Sequence, residues 1–190
     1  FPYYVVPGGD NCSAHVEVNQ VFLDKLGMEK PTTVDELYDF MKAVVENDPN
    51  GNGKADEIGA IGYSGYCGDL VQFIINAFVY CNDKYFFNAT DGKIWAPYNT
   101  DEYRQALIYI NKLVNDGLLN TTTFTIPESG GESEIIPYIT PSDQVPIVGV
   151  IGGHAMLVSE ADNPVILDYT PIIPLKAATD KGGYAAYNAS

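Results

Sequence analysis

NQVFLDKLGMEKPTTVDELYDFMKAVVENDPNGNGKADEI, residues 19–58, is the stretch that decides the fold of this chain. Its first part, with Val18 just before it, places Val18, Val21, Phe22 and Leu26 at helical spacing. Gly27 stands where a C-terminal cap belongs, so a short helix is expected over 18–27. The second part opens on Thr33 and Glu36, the spacing of a capping box, in which hydroxyl and carboxylate each take up an orphan amide of the helix start. Val34, Leu37, Tyr38, Met41, Val44 and Val45 then recur at helical spacing, which predicts a helix with one buried face.

That helix runs into DPNGNGKADE, residues 48–57. Side-chain oxygens stand at the first, third and fifth places as Asp48, Asn50 and Asn52. Gly53 occupies the sixth place, where a sharp turn is needed, and Lys54 the seventh, where a main-chain carbonyl contributes; Asp56 and Glu57 follow. This is the rhythm of an EF-hand-like calcium loop, and hard cations want six to eight oxygens. The departure is at the twelfth place, where Gly59 stands instead of a bidentate glutamate, leaving Glu57 to supply that carboxylate. The alternative is a solvated Asn-Gly turn held by Asx hydrogen bonds, which does not by itself call for so many side-chain oxygens at this spacing. A calcium ion here would tie a helix end to the next strand, a structural role, and a single loop argues against a calcium sensor.

Outward from the loop, IGAIGY (58–63) reads as a strand and GDLVQFIINAFVYC (68–81) as a buried helix. Asp91-Gly92 inside YFFNATDGKIWAPY (85–98) is a strong hairpin signal. Thr100 is an N-cap for a helix with a stripe of Tyr103, Ala106, Leu107, Ile110, Leu113 and Val114 and a stop at Gly117. Residues 120–144, with Pro127, Gly130, Gly131, Pro137 and Pro141, read as a long polar loop. VPIVGVI (145–151) and VILDYTPIIPL (165–175) read as strands with a helix between them, and FPYYVV (1–6) as an entering strand. The order predicts a layered α/β domain.

Composition narrows the function. The chain has 190 residues and a formal net charge of -15, from 25 Asp and Glu against 10 Lys and Arg. Such a surface repels phosphate backbones and anionic lipid, so no nucleic-acid partner is expected. Arg104 is the only arginine, so an anionic ligand would lack the usual bidentate fork, and a neutral or cationic ligand suits better. Cys12, Cys67 and Cys81 form no metal or redox motif; a Cys67–Cys81 pair is conceivable, but buried free thiols are the plainer reading. The sequons at Asn11, Asn88, Asn120 and Asn188 are read as chance triplets. No apolar run reaches the ~18 residues of a membrane span. Beginning at Phe1, the chain reads as an excised piece or mature product.

The run from Asn19 through Leu23, Asp24, Leu26, Gly27, Pro31, Thr32, Thr33, Asp35, Glu36 and Leu37 into the acidic loop resembles the bacterial extracellular solute-binding proteins of family 1, the lipoprotein kind that serves sugar importers in Gram-positive bacteria. The match is specific over 18–58 and thinner beyond, where NDGLL (115–119) and YTPIIPLKAATDKGG (169–183) resemble the later part of the same lobe. The resemblance implies a periplasmic-binding-protein-like lobe of type II, a mixed sheet flanked by helices, with residues 1–190 as a single α/β lobe, the second of two that close on ligand. It implies a structural calcium held by Asp48, Asn50, Asn52, Lys54, Asp56 and Glu57. It places the ligand edge at Tyr63, Ser64, Tyr66 and Asp69 and, after a later strand, at Gly152, Gly153 and His154. The partners implied are a neutral mono- or oligosaccharide and an ABC importer permease. The protein implied is a monomeric, extracellular, non-enzymatic lipoprotein. The plain reading of Tyr63 and Tyr66 is packing, and so is that of Trp95.

Two rivals remain. GYSGY (62–66) nearly matches the nucleophile elbow, but Tyr66 replaces its last glycine and the only histidines are His15 and His154. A calcium-stabilised glycoside hydrolase would need a carboxylate pair that nothing in the sequence selects. A cell-surface adhesion or scaffold module is the other, and dockerin-like modules need a duplicated loop where only one occurs.

Overall fold

Val16, Val18 and Asn19 are almost wholly buried together with Glu17 in a four-residue strand, β1 (Val16–Asn19), at the interior of the sheet. The structure is a computed structural model and describes residues 16–63, 69–81, 87–126, 131–139, 141–153 and 164–177. The expected helix over 18–27 is therefore corrected at its start. Val18 belongs to the strand, Asn19 caps by accepting from the Phe22 amide at 3.0 Å, and helix α1 is Gln20–Leu26, closed by Gly27 at φ 66°. Local spacing alone could not separate these, because a two-residue alternation ending at Asn19 overlaps the first turn of the helix.

Helix α2 (Val34–Glu46) follows the sequence closely, with both bonds of the Thr33–Glu36 capping box formed. It buries Val34, Leu37, Phe40, Met41 and Val44. Strand β2 (Ile58–Ile61) leaves the acidic loop. Helix α3 (Leu70–Ile75) is much shorter than the expected 68–81. Asn76 ends it: its Nδ2 donates to the Gln72 carbonyl at 3.0 Å and its Oδ1 accepts from the Cys81 amide at 2.9 Å, so buried amides turn the chain back on itself. Asp91 (φ 51°) and Gly92 (φ 73°) form the expected hairpin turn between β3 (Asn88–Thr90) and β4 (Lys93–Trp95). Trp95 packs partly against the core and donates to the Thr90 hydroxyl at 3.1 Å.

Helix α4 (Asp101–Asn115) is capped by Thr100 and buries Ala106, Ile110 and Leu113, whereas Leu107, placed on its stripe, is 47% exposed. The expected loop over 120–144 is corrected: it holds a 3-10 turn at Thr121–Phe124 and helix α5 (Gly131–Ile139). Pro137 suggested a loop, yet buried Ile135 and Ile139, one helical turn apart, pin α5 on the domain. Strand β5 is Val148–Gly152. The expected strand over 165–175 is a 3-10 turn at Pro164–Asp168 followed by a short β6 (Tyr169–Pro171).

The sheet has the order β2-β5-β1-β6, with β2 parallel to β5 and β1 antiparallel to both of its neighbours. Helix α2 lies on β2 and β5, and Gly149 permits the approach: a Cβ there would stand 2.9 Å from Val44 Cγ2. One core runs from α2 through α3 and α4. A second, built on Ile61, Tyr63, Ile126, Ile135 and Ile151, lies under α5. The architecture is thus a mixed sheet with helices against it, as the sequence implied. Among the described residues no helix is long and apolar enough to cross a membrane. The expected strand over 1–6, Cys12, Cys67, the sequons at Asn11 and Asn188, His15 and GGYAAY lie outside the described residues. Cys81 is buried, and Asn88 is buried too, which suits packing rather than a glycan.

Candidate functional site

The acidic loop folds around Asp48. Its Oδ1 accepts from the amides of Gly51 (2.9 Å) and Asn52 (3.0 Å), and its Oδ2 accepts from Gly53 (2.9 Å). These main-chain donors, Gly53 foremost, hold the Asp48 carboxyl below its ordinary range. Gly53 makes its turn at φ 77°, a region that side chains rarely adopt. Asn52 donates from Nδ2 to both oxygens of Asp56, at 3.1 and 3.3 Å, and its Oδ1 accepts from the Lys54 amide at 2.7 Å. Asn50 closes a parallel turn onto the Asn52 amide at 2.9 Å.

Glu57 is different. Its Oε1 is buried and has no hydrogen-bond partner. Desolvation first, then the nearby charges of Asp48 and Asp56, raise its pKa. An Asx turn accounts for the main-chain amides that Asp48 and Asn52 accept from, but gives no reason to bury a Glu57 carboxylate oxygen beside Asp48 and Asp56. Among the described residues no group of three or more His, Cys, Asp or Glu is placed to hold a metal by itself. A cation in this loop would therefore draw on the Asn50 and Asn52 amides and the Lys54 carbonyl as well as on carboxylates.

A second feature stands at the other end of β2. Strands β2 and β5 run parallel, with Ile61 beside Ile151, so Gly62 and Tyr63 emerge next to Gly152 and Gly153. In open α/β sheets, ligands bind beyond such carboxyl ends. There, Tyr63, Asp69, Val71, Thr123 and Phe124 line a pocket of about 260 Å³. Tyr63 is only 1% exposed and belongs to the second core. Asp69 caps α3, accepting from the Gln72 amide at 2.7 Å. Ser64, Tyr66 and His154 lie outside the described residues. Thr123 and Phe124 stand in the stretch 120–144, whose sequence predicts only a polar loop. Thr123 Oγ1 accepts from the Gly62 amide at 3.1 Å across a sequence separation of 61, a contact that no local pattern announces. Because the loop enters β2 and the pocket leaves it, the strand separates the two features.

No family model matches the chain. Over 108 residues it is 35% identical to the fructooligosaccharide ABC transporter substrate-binding protein FusA of Streptococcus pneumoniae, an alignment covering 56% of this chain and 20% of that protein. It is 31% identical over 101 residues to lipoprotein LipO of Bacillus subtilis, covering 52% and 20%. The homologues of this chain are substrate-binding proteins of ABC transporters. It spans about a fifth of the length of these curated relatives, 20% in each alignment. Among solved structures, an HMO-binding solute-binding protein associated with an ABC transporter of Bifidobacterium longum infantis superposes with a TM-score of 0.69 at 29% identity, covering 89% of this chain and 35% of that one. The pneumococcal relative in complex with kestose gives 0.69 at 25% identity, covering 94% and 36%. The fold is that of part of a periplasmic-type solute-binding protein.

Proposed function

We propose that this chain is one lobe of the carbohydrate-capturing component of an ABC importer, a binding protein rather than an enzyme. The observation that carries the reading is the pocket at the carboxyl end of β2, on a chain whose relatives are transporter substrate-binding proteins. The net charge of -15 and the single arginine favour a neutral sugar over an anionic one. Tyr63, Asp69 and Gly153 belong to this edge, with Ser64, Tyr66 and His154 assigned to it from the sequence alone. Closure against a second lobe would present both lobes to a permease, as hinge closure does in such receptors. A lipoprotein on the cell surface fits relatives such as LipO. A monomer remains the proposed state.

The acidic loop fits a structural calcium ion, held by Asp48, Asn50, Asn52, the Lys54 carbonyl, Asp56 and Glu57. The unpartnered Glu57 oxygen and the mutual repulsion of its carboxylate neighbours support this. So does the pneumococcal relative, whose EF-hand was mutated in one solved structure. The ion would supply positive charge to the carboxylates, while Asp48 and Gly53 keep the turn shaped to receive it.

The test is calorimetry of the whole protein against kestose, maltotriose and a neutral milk tetrasaccharide, alongside incubation with the labelled sugars. Saturable binding without turnover is expected. Hydrolysis would replace this reading with the glycosidase, and failure to bind any sugar, with a protein captured instead, would replace it with the adhesion module.

A further inference from the structure

We propose that the outer face of the β3–β4 hairpin, formed by Phe87, Ala89, Ile94 and Tyr98, is an internal interface of a longer protein, covered by an apolar surface of the polypeptide that lies outside residues 1–190. The inference rests on the reading of this chain as one lobe of a receptor and says which of its surfaces the remainder of that receptor covers.

The hairpin pairs Asn88 with Trp95, Ala89 with Ile94 and Thr90 with Lys93. Partners across a strand pair share a face and successive residues alternate, so the hairpin has two sides. One side points inward. Asn88 is buried and donates from Nδ2 to the Tyr80 carbonyl at 2.5 Å, Trp95 packs partly against the core, and Thr90 takes up the indole N–H. The other side carries Ala89 and Ile94, and Phe87 joins them by alternation. Buried Pro97 seats the 3-10 turn Pro97–Asn99, from which Tyr98 meets Phe87 edge to face, with ring centroids 6.2 Å apart at 66°. Phe87 is 53% exposed, Ile94 79% and Tyr98 49%.

Single exposed apolar side chains are ordinary. Four on one side of a hairpin whose opposite side already packs are not, because an antiparallel pair with one packed face normally turns polar residues outward. Charged residues stand close by in the chain, Asp91 and Lys93 at the tip and Asp101 and Glu102 after Tyr98, all of them exposed. An apolar face edged by charge marks a surface that something covers.

Its size and the charge of the chain select the occupant. About half of the ~150–250 Å² that each ring carries, with Ile94 and Ala89 beside them, comes to roughly 300–400 Å². A free partner needs about 800 Å² on each side for a specific complex. A second copy would also bring its own net charge of -15 against this one. A segment of the same polypeptide meets neither obstacle, because tethering supplies an effective concentration in the millimolar range and a small apolar contact then suffices. Such polypeptide is at hand in the relatives: the match uses 89–94% of this chain but only 35–37% of each of three solved solute-binding proteins.

The test uses the whole protein. A photo-crosslinking amino acid in place of Ile94 should join, within one chain, to a peptide outside residues 1–190; a mixture of isotope-labelled and unlabelled protein separates links within a chain from links between chains. Ile94→Asp would bury a charge in the interface and should lower the melting temperature by about 4 °C or more, whereas Lys93→Asp, one position away on the other side of β4, should stay within about 1 °C. Ile94→Ala gives a milder reading of the same loss should the aspartate variant fail to fold. Crosslinks between two chains would assign the face to a second copy and overturn the inference. So would crosslinks confined to residues 1–190, no crosslink at all, or an Ile94→Asp melt equal to wild type. Calorimetry with kestose and maltotriose keeps the two readings apart: sugar binding with an open hairpin face sinks this inference alone, and absence of sugar binding sinks the functional reading whatever the crosslinks report.

Discussion

Lys25 donates from Nζ to the carbonyl oxygen of Pro49 at 2.7 Å, joining the last turn of α1 to the start of the acidic loop. Pro49 is buried, so its carbonyl has few other partners on offer, and the ammonium adds a positive charge beside a loop rich in carboxylates. Burial raises the pKa of Asp168, and the same ammonium offsets part of that rise. One exposed lysine thus links three segments distant in sequence.

Lys25→Met keeps most of the alkyl stem and removes the bond. Hydrogen bonds from charged groups contribute about 1.5–3 kcal/mol, less at an exposed site, so a loss of about 1 kcal/mol is expected. Urea unfolding at fixed calcium measures it, and an unshifted midpoint would show that the tie contributes nothing.

Calcium should stabilise by binding the folded state alone, by about 2.7 kcal/mol at a hundredfold excess over the dissociation constant. Thermal melts with calcium and with EGTA check this. Glu57→Gln should abolish the calcium response while leaving the EGTA melt unchanged or higher, because it removes a buried like charge. A calcium response of wild-type size in that variant would exclude Glu57 as a ligand.

Glu36 Oε2 accepts from the Thr32 amide and hydroxyl, each at 2.8 Å, and from the Thr33 amide at 3.2 Å. Those bonds, the Thr32 amide first, hold its pKa below the ordinary 4.5. A lowered folded-state pKa means that the contribution to stability is complete above 4.5 and is lost as pH falls through the folded value. Acid unfolding should therefore be less steep below pH 4.5 in Glu36→Gln than in wild type. Thr33→Ala, at neutral pH, should cost about 1 kcal/mol.

Gly149→Ala would bring a Cβ to 2.9 Å from Val44 Cγ2 and 3.0 Å from the Gly59 carbonyl oxygen. Helix α2 must then lift from the sheet or Val44 must repack, at about 1–3 kcal/mol. Chemical denaturation measures the loss, and combining it with Val44→Ala should recover part of it.

What residues could announce by themselves were features closed within a few positions. Thr33 with Glu36, Gly27 after Leu26, and Asp91-Gly92 each satisfy amides or adopt left-handed backbone locally, so their structure is written in their spacing. The acidic loop belongs to this class, and its odd-numbered oxygens follow from side-chain alternation around a turn. Tertiary structure alone decided the rest. Val16–Asn19 became a strand because β5 and β6 pair with it on either side. Helix α3 stopped at Ile75 because Cys81 returns to bond the Asn76 amide. Helix α5 forms despite Pro137 because Ile135 and Ile139 find the second core. The pocket wall at Thr123 and Phe124 is brought to Tyr63 by bonds to Ala60 and Gly62, on a strand far earlier in the chain. Contacts of that range depend on which strand ends lie side by side, and sheet pairing sets that order where no local preference can.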